Sequence, residues 1–299
     1  MNDILQQFLN NRRDNKFLIP VGMQGSGKSS LLATYFQAIE SSKEYDFLMN
    51  INDDSANKPR EEYLNNIKYN EIPNATEAMS KLNAFYAMDA SFEKEEDGLV
   101  WEFSCFDFSG LDFEGIHDQL LSKSKIGSGE SKIGLERHLL AKPLYERDEK
   151  ANIRPVIFGN LLDELFVRLE SECYLFLIAD GAGNTTQQDK FLNQFIDYLL
   201  NEENRWLPAL EGVFFFISKW DLLRDQTDFK TFVKEEYKDT FAGLKRLYKN
   251  HLNVMSFPFS VGNVEKNSRN IQTLSMNYAH DLLLYMEATV FPKHGQSKF

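Results

Sequence analysis

Apolar and amphipathic stretches alternate along most of the chain. KFLIPVG (16–22) is a short apolar run closing on glycine, and SSLLATYFQAIESS after it carries apolar residues at helical spacing. LNAFYAMDA and LVWEFSCFDF form a strand pair split by the acidic turn SFEKEEDG. CYLFLIAD (173–180), GVFFFIS (212–218) and NVMSFPFS (253–260) are further strands, and helical patterns fall near 186–202, 226–249 and 269–289. Unbroken apolar strands alternating with helices predict a largely parallel sheet covered on both faces. Two regions interrupt the pattern. One is the polar stretch 50–75. The other is 111–171, whose SKSKIGSGESKIG (122–134) reads as a loop. Gly127, Gly129 and Lys132 in that loop have the wrong spacing for a phosphate loop, and no apolar strand feeds them.

Composition changes this picture little. With 299 residues and 42% hydrophobic content the chain can bury a sizeable core, and 25 phenylalanines make it aromatic-rich. A net charge of −12 gives no electrostatic footprint for nucleic acid. No basic region precedes an apolar stretch at the N-terminus, and no apolar run approaches membrane-spanning length, so a cytoplasmic protein without a membrane span is expected. Cys105 and Cys173 both lie in apolar strand-like runs and read as buried free thiols. The five histidines show no ligand spacing.

The chemistry starts after the first strand. VGMQGSGKSS (21–30) fits G-x-x-x-x-G-K-[ST], with Gly22, Gly27, Lys28 and Ser29 at the defining positions. Gly22, Gln24, Gly25, Ser26, Gly27 and Ser30 complete a loop whose amides can fold into a nest around a β-phosphate, backed by a helix N-terminus. Lys28 would reach the β- and γ-phosphates, and Ser29 would ligate magnesium. The context is right, with a strand before the motif and a helical pattern after it.

A phosphate loop needs an acidic residue for the metal on a neighbouring strand. Asp180 closes YLFLIAD, and Asp107 closes VWEFSCFD and opens D-x-x-G with Gly110. An ATPase use of Asp180 as a Walker B residue would favour a glutamate beside it, and the neighbour is Gly181. Asp107 is preferred. Near the end of the chain, EGVFFFISKWDLL raises a separate question. Lysine and aspartate at a strand end are ordinary, and Ser218-Lys219-Trp220-Asp221 alone decides nothing.

Taken in order, GMQGSGKS, DFSG and SKWD resemble the motifs of P-loop GTPases of the TRAFAC class, whose base-reading motif is N/T-K-x-D at a strand end. The resemblance implies a P-loop GTPase-like three-layer α/β sandwich with long insertions in the switch regions. It also implies that Gly110 meets the γ-phosphate, Asp221 accepts hydrogen bonds from guanine, and the Lys219 stem packs on the base. Ser218 departs from the usual Asn or Thr and keeps a hydroxyl. Ser260-Val261-Gly262 resembles the loop that touches guanine O6 but lacks its lysine. Between Lys28 and Asp107 the only threonines are Thr34, inside the helix, and Thr76, in EIPNATEAM. Thr76 is the switch candidate and a third ligand for magnesium beside Ser29 and Asp107. A helix N-cap is its other reading.

GTP hydrolysis is mostly positioning and charge stabilisation around an in-line water. The position after D-x-x-G, often glutamine, is Leu111 here. Gln24 is one candidate for placing the water, because the loop there resembles dynamin-like GTPases, which carry a glutamine at that place. An exposed loop side chain is its other reading, and Lys28 and Thr76 are the other catalytic candidates. Arg137, Arg147 and Arg154 could each supply an arginine finger, and nothing selects among them. The motifs span residues 17–263. One GTPase-like domain over 1–299 is expected, with a lead-in (1–14), an insertion (111–171) and a tail (291–299). The long interval before Asp221, the absent glutamine and the PNATE threonine look similar to bacterial double-GTPase proteins, which would imply a protein partner, either another GTPase or an effector. The expected ligands are GTP or GDP with Mg2+. Little-hydrolysing nucleotide-gated binding is the alternative to a GTP-hydrolysing switch.

Overall fold

In the computed structural model, residues 16–48, 54–74, 86–94, 99–110, 173–200 and 207–290 are described. The expected lead-in, the 111–171 insertion, the tail and Thr76 lie outside them.

Strands β1 (Lys16–Val21), β2 (Tyr45–Leu48), β3 (Tyr86–Lys94), β4 (Leu99–Asp107), β5 (Cys173–Asp180), β6 (Leu210–Ser218) and β7 (Asn253–Pro258) make a seven-stranded sheet ordered β2-β3-β4-β1-β5-β6-β7. The β4-β1-β5-β6-β7 portion is parallel, and β3 pairs antiparallel with both β2 and β4. Period-two alternation sends Phe17, Ile19, Leu175, Leu177, Phe215 and Ile217 to one face, and Leu18, Phe176, Phe214 and Phe216 to the other. Both faces are apolar because both are covered. The first packs against α3 (Thr185–Leu199), α4 (Phe229–Glu236) and α5 (Lys238–Lys249), and the second against α1 (Lys28–Ser41), α2 (Asp54–Lys68) and α6 (Asn277–Thr289). The result is the three-layer α/β sandwich with a mainly parallel sheet that the sequence pattern implies.

The aromatic content is spent inside these layers. The Phe216 ring lies 5.1 Å from that of Phe176 and 5.3 Å from that of Phe257. Removing such a ring leaves a cavity, so Phe216→Ala would cost about 3–5 kcal/mol. Cys105 and Cys173 are buried free thiols, as expected, and burial pushes the Cys173 pKa up, which keeps it an inert thiol.

Three local expectations need correction. The polar stretch 50–75 contains the 15-residue helix α2, whose buried stripe is Arg60, Tyr63 and Ile67. Its apolar content is too thin to stand out without the α1 surface it covers. The pattern at 226–249 is two helices, α4 and α5, parted at Tyr237 (φ −120°, ψ 43°), whose buried ring meets Phe215 edge-on at 5.5 Å. The pattern at 269–289 is a strand, β9 (Ile271–Leu274), followed by α6; β9 pairs with β8 (Gly262–Val264) in a separate two-stranded sheet. Among the described residues no helix is long and apolar enough to cross a membrane.

Candidate functional site

Chain order runs from β1 outward to β4 on one side and to β5 on the other, so the crevice beyond the carboxyl end of β1 is the sheet's topological switch point. The phosphate loop lies there. Gly27 has φ +95°, a left-handed conformation that a side chain would strain, and it leads directly into Lys28, the first residue of α1. No side chain caps this helix, in contrast to α3, where Asn184 accepts from Gln187, and α4, where Asp228 accepts from Thr231. The N-terminus of α1, with the positive end of the helix dipole, therefore points at the loop. Lys28 is buried and folds back over the loop, its Nζ donating to the carbonyls of Gly22 at 3.0 Å and Met23 at 3.2 Å. Ser26 is fully buried beneath the loop, and the Gln24 side chain is exposed on it.

Ser29 meets Asp107, not Asp180. Its Oγ donates to Asp107 Oδ2 at 2.7 Å, joining the two residues expected to share a metal from chain positions far apart. With its proton committed to the carboxylate, the Ser29 oxygen keeps lone pairs for a cation. The Tyr63 hydroxyl also donates to Asp107 Oδ2. Asp107 is 1% exposed, and a carboxylate buried that deeply calls for positive charge close by. The donors are hard oxygens, the set that suits a cation such as magnesium when phosphate completes the coordination.

Gly110 lies against the phosphate loop. A Cβ placed on it would sit 2.1 Å from the Gln24 amide nitrogen and 2.4 Å from the Met23 carbonyl carbon. Only a glycine permits that approach, and it brings the D-x-x-G turn and Gln24 together. Thr34 bonds the carbonyls of Ser30 and Leu31 inside α1, in keeping with a helical role.

The residues expected on the base side gather at the ends of β6 and β7. Trp220 N donates to Phe259 O at 3.0 Å, and the Trp220 ring is buried against Phe229 and Phe232. That anchor turns Lys219 into the left-handed region (φ 56°) and brings it to Asp180, with which it forms an ion pair. Asp180 is therefore held by the base-side lysine. Further bonds fix it: its side chain accepts from Ala182 N at 3.0 Å, and its carbonyl accepts from Gln188 Nε2 at 3.0 Å and Tyr237 Oη at 3.2 Å. Burial, then the neighbouring Asp180, Asp189 and Glu236 carboxylates, raise the Tyr237 pKa, which keeps its hydroxyl a donor. Asp221 accepts from the Ser260 hydroxyl, which in turn accepts from Gly262 N at 2.9 Å, and Val261 is buried beside it. Ser218 is 2% exposed, and a Cβ on Gly27 would come within 3.2 Å of its side chain. The phosphate half and the base half of the site touch there.

Every expected site residue that the structure describes lies along this one edge of the sheet. Sequence reasoning missed Tyr63, because α2 was hidden in a polar stretch, and the partnership of Asp180 with Lys219. A helical spacing of Tyr63, Leu64 and Ile67 was the only available signal for the former.

No protein-family model matches the chain, and no curated protein matches it. Among solved structures it is similar to GDP-bound Roco2 RocCORdC from Methanosarcina barkeri, with 12% identity and a TM-score of 0.35 over 92% of this chain and 50% of that one. It is similar to the signal recognition particle receptor SRb-GTP/SRX complex from Chaetomium thermophilum, with 12% identity and a TM-score of 0.40 over 84% of this chain and 95% of that one. A third is the S. cerevisiae Ski7 GTPase-like domain bound to GDP and inorganic phosphate, with 11% identity and a TM-score of 0.37 over 97% of this chain and 53% of that one. The chain spans about half the length of the Roco2 and Ski7 chains. Likeness at these scores carries no inference about activity. The fold and loop geometry described above are those of a P-loop α/β sandwich.

Proposed function

We propose that the chain is a magnesium-dependent guanine-nucleotide-binding switch that hydrolyses GTP to GDP and phosphate. The observation that carries this reading is the close approach of Gly27 to Ser218, where an added Cβ would lie 3.2 Å from the serine side chain, which sets the phosphate loop beside the Lys219, Asp221 and Ser260 group. In this reading the loop 22–30 and the N-terminus of α1 bind the phosphates. Lys28 exchanges its carbonyl partners for the β- and γ-phosphates. Asp221, oriented by Ser260, accepts from guanine, and Lys219 lays its stem against the base, with Val261 offering backbone contacts. Ser29, Asp107 and Thr76 would hold magnesium, which supplies positive charge to the phosphates when bound. Gly110 and Gln24, adjacent in space, face the γ-phosphate and the attacking water. The long insertions around the switch motifs are in keeping with a protein partner or effector, for which a second GTPase is one candidate.

Leu111 favours a second reading, a nucleotide-gated interaction module that hydrolyses little, because it replaces the glutamine that would orient water. One experiment separates the readings. Purified protein is titrated with labelled GTP and ATP while phosphate release is followed in the same samples. Tight, GTP-selective binding with release is expected; binding without release favours the module, and equal affinity for ATP ends the guanine assignment.

A further inference from the structure

Helix α2 reaches the site through Tyr63 in its C-terminal half and is fastened just beyond, at its C-terminal end. Its buried stripe carries Tyr63, 6% exposed, with Ile67 one turn on in the same core. The segment after it is bound to the β8–β9 hairpin. Ile72 N donates to Arg269 O at 2.8 Å, Ile271 N donates to Asn70 O at 2.7 Å, and the Arg269 guanidinium reaches Ile72 O at 2.9 Å and Asn66 Oδ1 at 3.1 Å. One of these bonds holds the helix itself at Asn66 and three hold the segment directly after it. With the packed stripe they limit rotation, so the Tyr63 hydroxyl is delivered to a fixed place. That place is Asp107 Oδ2, the same oxygen that accepts from Ser29.

Resting on the reading of Ser29 and Asp107 as magnesium ligands, we propose that Tyr63 is a positioning residue for the metal site. Two hydroxyl donors on one oxygen lock the rotamer of the carboxylate and fix which of its lone pairs face the loop. Without the phenol, Asp107 would have to be ordered at the moment a cation arrives, and that ordering lowers cation affinity. Partners of this outer kind typically change metal affinity about ten- to a hundredfold. The phosphate contacts of Lys28 and the loop amides do not run through Tyr63, so nucleotide affinity without metal is unaffected by it.

Tyr63→Phe keeps the ring in the core and removes only the hydroxyl. Fluorescently labelled GTP is bound to native protein and variant in EDTA and across a magnesium chloride titration, with thermal unfolding of both measured alongside. The expected result is a magnesium midpoint raised about tenfold or more in the variant, with affinity in EDTA unchanged. The variant stays folded at the assay temperature, with a melting temperature lowered by the lost hydrogen bond. An unshifted midpoint overturns the positioning role and leaves the guanine-nucleotide reading standing. Equal loss of affinity with and without magnesium also overturns it, since that is the signature of a structural residue. Native protein whose GTP binding ignores magnesium would remove the metal assignment and this inference together.

Discussion

Lys219 forms an ion pair with Asp180, the last residue of the adjacent strand β5. The two aspartates that compete for the metal on sequence grounds therefore belong to different halves of the site, Asp107 with Ser29 and Asp180 with the base-side lysine. The Lys219 side chain is 47% exposed, so solvent screens the pair and its contribution to stability is small. Its effect is to hold the lysine stem in one direction beside the proposed base site.

The first prediction follows from that division. Asp180→Asn should lower GTP affinity by about two- to fivefold, the scale of an exposed pair, and leave magnesium dependence unchanged. Asp107→Asn should raise the magnesium requirement. Nucleotide titrations at several magnesium concentrations measure both, and a magnesium effect from Asp180→Asn would restore that residue as the metal ligand.

Lys28→Ala should cost about 1.5–3 kcal/mol or more in triphosphate binding, the scale of hydrogen bonds to charged groups. In the structure the ammonium donates to the loop carbonyls of Gly22 and Met23. Thermal unfolding without nucleotide should barely move. Native-like affinity by calorimetry would contradict the phosphate-loop role.

Gly110→Ala and Gly25→Ala separate crowding from strain. Gly25 has φ +76° with nothing near an added Cβ, so alanine there should cost about 1–2 kcal/mol of backbone strain. At Gly110 the added carbon meets backbone at 2.1 Å, so the phosphate loop or the D-x-x-G turn must move. Gly110→Ala should lose more nucleotide affinity than Gly25→Ala, and the reverse order in binding assays would show that the turn does not approach the ligand.

Asp221→Asn should weaken GTP binding and favour xanthosine triphosphate by about 1.5–3 kcal/mol, because a carboxylate accepts from two guanine donors and an amide does not. Ser260→Ala frees the Asp221 side chain and should weaken GTP in the same direction by less. Competition with the two triphosphates reads the preference directly. An unchanged preference in Asp221→Asn would place the base elsewhere.

Hydrogen exchange tests the switch. If Thr76 and Gly110 sense the γ-phosphate, residues 50–80 and 108–135 should gain protection with a non-hydrolysable GTP analogue relative to GDP. Thr76→Ala should erase most of that gain. Identical exchange in the two nucleotide states would leave a passive nucleotide-binding module.

What the sequence determined by itself was local and chemical. Phosphate-loop spacing is fixed by backbone geometry over a few residues, so Gly22, Gly27, Lys28 and Ser29 were legible from order alone. Apolar runs such as VFFFIS announced strands buried on both faces, since only a sheet covered on both sides tolerates them. Tertiary structure decided what depends on residues distant in the chain. β1 pairs with both β4 and β5, so strand pairing alone leaves both aspartates beside the loop. The contact of Ser29 with Asp107, which the D-x-x-G motif already favoured, is made only in the folded chain. The same holds for β8 and β9, which are strands only because they pair with each other, and for α2, whose sparse stripe becomes a helix face only against α1 and the sheet. Polar and short segments carry too little hydrophobic signal to declare their structure in isolation, because the surface that stabilises them belongs to other parts of the chain.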